Sequence, residues 1–165
     1  MHALHRILVR LDTTDGESDE MIREARSRAE ELTEDYADSV FDWRETDTAG
    51  GWADEYTPNV ILGKDNPDSL LKEIKGAEED QKGEMEHLKE ALHHQTVDRM
   101  FDDYYQHPAS AWHLKQLAKL LYGEYAFDSC YFDTDNFSAR ITPETYSEIK
   151  KNPSEWALVF FDYHY

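Results

Sequence analysis

Four side chains with metal-binding chemistry recur at helical spacing in the middle of the chain: His87, Glu90, His94 and Asp98, at i, i+3, i+7 and i+11. At about 3.6 residues per turn, that spacing places two imidazoles and two carboxylates along one helical face. Such a donor set suits zinc, or iron where a second helix adds ligands, and would belong to a metal-dependent enzyme. The plainer reading, and the favoured one, is that the row is the polar side of an amphipathic helix whose apolar side carries Leu88 and Leu92. The His-Glu-x-x-His pattern of zinc proteases does not occur.

Asp133, Asp135 and Glu144 stand where positions 1, 3 and 12 of a calcium loop would be. The geometry-setting places depart from that pattern, with Phe137 at position 5 and Ser138 in place of the bend glycine. Asp133 to Asn136 is read instead as a turn between two strands. His2, His5 and His164 lie near the two ends of the sequence. If their strands are neighbours, they would form a pH-sensitive patch or a weak metal site. No Gly-x-Ser-x-Gly and no phosphate-cradling glycine loop is present, and Cys130 sits in an apolar run where a thiol acts as a small filler. No catalytic residue and no cofactor is therefore expected. Trp52 and Tyr56 share a loop with Gly50-Gly51, among Asp47, Asp54 and Glu55. They are candidates for an anchor inserted into a partner, or for a lid folded back over the core.

The elements that would carry these groups follow from periodicity. Ile7, Val9 and Leu11 alternate with Arg6 and Arg10, which predicts a strand over 5–11. Ile22, Ala25, Ala29, Leu32 and Tyr36 recur at spacings of three and four, which predicts a helix over 19–37. Its other face carries Glu20, Glu24, Arg28, Glu31 and Asp35. Short strands are expected at 40–44 and 60–62. A helix opening at Pro67 would end at Gly76, and another would cover 84–106 with a break at 94–96 and Thr96 as its second cap. An amphipathic helix is expected over 109–122. Strands at 125–132 and 137–141, a helix from Thr142 to Lys151, and a strand over 156–165 complete the chain. That last segment, WALVFFDYHY, is apolar on both faces and belongs at the centre of a sheet. The expected fold is α+β, a single domain over 1–165. It has a mainly antiparallel sheet of about four to six strands with helices on one face. Residues 66–123 form a helical segment between the N- and C-terminal strands, a candidate insertion.

Composition limits what these elements can do. The chain has 165 residues, 36 Asp and Glu against 17 Lys and Arg, and a formal charge of −19. Such a surface opposes binding to nucleic acid or to anionic lipid, both of which need cations. No apolar run is long enough for a membrane span, and the first residues lack the features of a signal peptide, so a cytoplasmic location is expected. One cysteine excludes an internal disulfide and a cysteine-based zinc site. The first hundred residues hold 26 of the acids and 5 of the aromatics, whereas residues 101–165 hold 16 aromatics. The N-terminal part supplies the field and the C-terminal part most of the bulky core.

Two explanations suit that field. A carboxylate-dense exterior stays hydrated where salt screens its repulsion, the Debye length being about 3 Å at 1 M. Alternatively the charge is itself the function, as in a DNA mimic or immunity-type inhibitor that occupies a basic groove. The expectation is a non-catalytic acidic interaction protein, salt-adapted, with a basic protein as its partner. The candidate partner-binding residues are Glu20, Glu24, Glu31, Asp35, Trp52 and Tyr56.

Overall fold

Two nine-residue strands, β1 (His2–Arg10) and β5 (Trp156–His164), pair antiparallel over their whole length, from His2 opposite His164 to Arg10 opposite Trp156. The computed structural model describes residues 2–40, 42–99 and 131–164, and positions 115, 116, 118, 119, 121 and 122; for 35–40 it describes the backbone alone. Between the two long strands lie α1 (Ser18–Val40), β2 (Trp43–Glu45), a 3-10 turn at Gly50–Trp52 and β3 (Val60–Leu62). They are followed by α2 (Pro67–His93), β4 (Tyr131–Asp133), α3 (Pro143–Lys151) and a second 3-10 turn at Pro153–Glu155.

Three strands converge on β5. β1 takes one edge, while β2 and β3 share the other, β2 beside residues 162–164 and β3 beside 157–159. β4 adds to the far side of β1 in parallel. The sheet has five strands, as expected, but it is mixed. The β1–β4 pair is parallel because the chain crosses over through helical structure between them, which parallel neighbours require.

Helices cover both faces, not one. Ile7, Val9, Leu11, Ala157, Val159, Phe161 and Tyr163 point to the side where α1 lays Met21, Ala25 and Ala29 against them. Leu8, Trp156, Leu158 and Phe160 point to the other, beneath Leu70, Ile74 and Ala77 of α2 and Ile149 of α3. The reason is visible in β5: every residue from Trp156 to Phe161 is apolar and buried, so neither parity can face water. The alanines of α1, spaced four apart, let that helix lie close to the pleat.

α2 runs 27 residues and passes through Gly76, where an end was expected. Its buried stripe continues as Leu70, Ile74, Ala77, Gln81 and Leu88, and this packing outweighs the roughly 1 kcal/mol that a helical glycine costs. The expected break at 94–96 is present. α2 closes at His94, and Thr96 Oγ1 accepts the Arg99 N–H at 3.2 Å to cap the next turn. The helix expected over 109–122 and the residue Cys130 fall largely outside the described residues, as does Phe41. The strand expected at 137–141 is reduced to a single bridge between Ser138 and Asp133.

Thr142 caps α3: its hydroxyl accepts the Thr145 N–H at 3.4 Å, Pro143 follows it, and Lys150 and Lys151 occupy the last turn. We expect Thr142→Ala to lower the unfolding free energy by about 0.5–1 kcal/mol, the low end for caps, because the bond is long. Thr142→Ser should restore it. A urea unfolding series on the three proteins checks this.

Candidate functional site

Because α1 buries Met21, Ala25 and Ala29, the intervening positions are turned outward. Glu20 and Glu31 are exposed there, beside Glu17 and Asp19. Glu24 is different. It is half-buried, and its Oε1 accepts the Asp12 N–H at 2.6 Å, so it fixes the β1–α1 connection. Asp12 in turn accepts from Arg28 Nη1 at 2.5 Å. Asp35 lies in α1, and its side chain is outside the described residues.

Several of the cations are engaged within the molecule. Arg6 reaches Glu73 at 3.2 Å and Asp80 at 3.4 Å, and Arg10 donates to Glu155 at 2.5 Å. Arg44 lies 3.8 Å from Glu34, Lys82 bonds Glu78 at 2.5 Å, and Arg26 donates to the Asn59 side-chain carbonyl at 2.7 Å. Lys64 Nζ donates to the Gly16 carbonyl at 3.0 Å. Glu78 also accepts from the Tyr146 hydroxyl; these two bonds, Lys82 first, lower its pKa below the usual carboxylate value. Glu30 and Glu34 of α1 are likewise met by Thr46 and Arg44, but among the described residues none bonds the side chains of Asp19, Glu20 or Glu31, nor that of Glu17 just before the helix.

Trp52 and Tyr56 fold back over the sheet. The Tyr56 ring stacks on Phe160 with centroids 4.0 Å apart and planes at 20°, and its hydroxyl donates to Glu73 at 3.2 Å. Both rings are half-buried, so the loop is arranged as a lid over the α2 side of the core. Gly50, at φ +53°, passes directly over Asp162, where any Cβ would overlap the carboxylate.

His87, Glu90, His94 and Asp98 are all exposed. His87 and Glu90 lie in α2, His94 is its C-cap, and Asp98 follows the break, so the four do not share one continuous helix. Among the described residues no three His, Cys, Asp or Glu side chains are grouped to hold a metal ion.

The terminal histidines separate. The β1–β5 register sets His2 against His164, with ring centroids 4.9 Å apart. His2 Nδ1 lies 3.0 Å from Asp162 Oδ1, and His164 Nδ1 lies 2.6 Å from Asp42 Oδ1. Asp162 is buried, and its other oxygen accepts the Gly51 N–H at 3.0 Å. The bond to His164 is the main reason the Asp42 pKa is lowered. Trp43 meets the His2 ring edge-on at 5.6 Å. His5 points to the opposite face and is fully buried, 4.8 Å from the Tyr163 ring. Asp162 is the residue that sequence reasoning missed; its signal was a lone acid inside an otherwise apolar strand.

Asp133 is buried as well. Its Oδ1 accepts the backbone N–H groups of Asp135 at 3.0 Å and Asn136 at 3.2 Å, and its Oδ2 accepts from Asn136 Nδ2 at 2.8 Å. Its oxygens thus close the turn that was expected there, and burial is the largest cause raising its pKa. The described parts form an α+β protein with a mixed sheet between helices, and no described helix is long and apolar enough to cross a membrane. No family model, curated protein or solved structure matches the chain.

Proposed function

We propose that this is a salt-adapted acidic interaction protein, non-catalytic, which acts through the outer face of α1 on a basic protein. One observation carries the reading: Glu17, Asp19, Glu20 and Glu31 point outward without side-chain partners among the described residues, while Arg6, Arg10, Arg28 and Lys82 are paired with acids elsewhere and Lys64 with the Gly16 carbonyl. An exterior of this kind repels itself in dilute buffer and attracts a cationic surface over about 10 Å at 0.1 M salt. The candidate contact set narrows to Glu20 and Glu31, since Glu24 is bonded to Asp12 and the Trp52–Tyr56 loop lies over the core.

Salt separates the two parts of the proposal. Urea midpoints measured from 0.05 to 2 M KCl should rise with salt as the repulsion is screened. A flat or falling midpoint removes salt adaptation. Partner capture from native lysate should weaken severalfold when Glu20→Gln and Glu31→Gln are combined. Unchanged capture removes the α1 face as the contact surface.

A further inference from the structure

We infer that His2 and His164 form a transition-metal site of zinc type at the end of the two central strands, completed by water. The inference is independent of the acidic α1 face. It rests on the cross-strand register, which places the two imidazoles side by side on one face of the sheet. A tetrahedral ion held by two ring nitrogens at about 2.0–2.1 Å sets the ring centroids roughly 5 Å apart. The observed separation is 4.9 Å.

Each ring is also held in the manner of a ligand. An ionised carboxylate can only accept, so Nδ1 of each neutral imidazole carries the proton that faces its aspartate. That leaves Nε2 with its lone pair as the nitrogen each ring offers. Carboxylates bonded to the far nitrogen of a histidine orient the ring and strengthen it as a ligand. Asp162 is itself immobilised, being buried and bonded to the Gly51 N–H, and the absence of a Cβ at Gly50 leaves room for its carboxylate. The His2 side chain is 57% exposed and that of His164 36% exposed, so both are open to an ion from solvent. Imidazole donors select borderline ions such as Zn2+ over Mg2+ or Ca2+, and Cu2+ should bind more tightly than Zn2+.

The test is calorimetric titration of the untagged full chain with ZnCl2, in 1 M KCl and millimolar MgCl2 to suppress diffuse binding to the carboxylates. One zinc per chain is expected. His2→Ala and His164→Ala should each weaken binding at least tenfold, and Asp42→Asn, with both imidazoles retained, about tenfold. The combined His87→Ala and His94→Ala variant should bind as the parent does. Circular dichroism establishes that each variant is folded, and His2, being exposed, is the safest to remove. An absence of saturable zinc binding overturns the site. So does undiminished binding by folded His2→Ala, or loss of binding in the His87/His94 variant.

Discussion

Phe160→Ala should lower the unfolding free energy by about 3–5 kcal/mol, the range for an aromatic removed from a packed core. Phe160 is fully buried in β5, opposite Arg6 of β1, and lies beneath α2. Its ring is the platform on which Tyr56 stacks at 4.0 Å. Truncation leaves a void under that ring and releases the loop it holds, so the Tyr56–Glu73 bond and the Glu73–Arg6 pair lose their common support. The backbone groups of Phe160 remain bonded to Asn59 in either case, so the strand pairing is not directly broken. Phe160→Leu keeps most of the volume and should cost less than half as much. Tyr56→Phe removes one half-buried hydroxyl and should cost about 1 kcal/mol. Urea unfolding of the three variants decides the matter. A loss under about 1 kcal/mol for Phe160→Ala would mean that the loop, and not the ring, fills this side of the core.

The strong elements were legible because their patterns were long. The alternation at Ile7, Val9 and Leu11, the three-and-four spacing of Ile22, Ala25 and Ala29, and the Thr142 cap each produced the element expected. What failed was inference across elements. The double-sided apolarity of Trp156–Phe161 was legible, but placing helices on one face of the sheet did not carry it through to the two covering layers it needs. Ending a helix at Gly76 weighed a local propensity above a buried stripe that continues to Leu88. The parallel placement of β4 rests on a crossover that periodicity does not encode.

Side-chain parity explains the histidines. Successive residues of a strand point to opposite faces, so an odd step from His2 to His5 sends the two rings apart. His164 shares the face of His2 because the register pairs them directly. The strands are neighbours, as the grouping of the three imidazoles required, but adjacency alone brings together only His2 and His164; strand parity separates His5 from them. The acidic face shows a similar limit. Periodicity placed Glu20, Glu24 and Glu31 on the outer side of α1, but only the fold reveals that Glu24 is bonded to the Asp12 backbone.

His5 should make the protein steeply sensitive to mild acid. Its ring is fully buried on the α1 side of the sheet beside Tyr163, and burial, helped by the adjacent Arg6 charge, lowers its pKa from 6.5 to about 3. The unfolded chain takes up this proton near pH 6.5, and the folded one does so only near pH 3. The stability contributed by the neutral ring is therefore complete above pH 6.5 and declines as pH falls through the interval to about 3. Within it, the folding equilibrium constant should fall by up to about tenfold per pH unit, a loss on the order of 4 kcal/mol across most of the interval. That is a large part of the roughly 5–15 kcal/mol that holds an ordinary domain together. Asp133 acts in the opposite sense. Its pKa is raised in the fold, so its protonation favours the native state. His5→Phe isolates the imidazole, since every other titrating group is common to the two proteins and drops out of the difference. Urea midpoints at half-unit steps from pH 7.5 to 5 should fall more steeply for the parent than for His5→Phe. Equal slopes would mean that the ring gains its proton without unfolding the sheet around it.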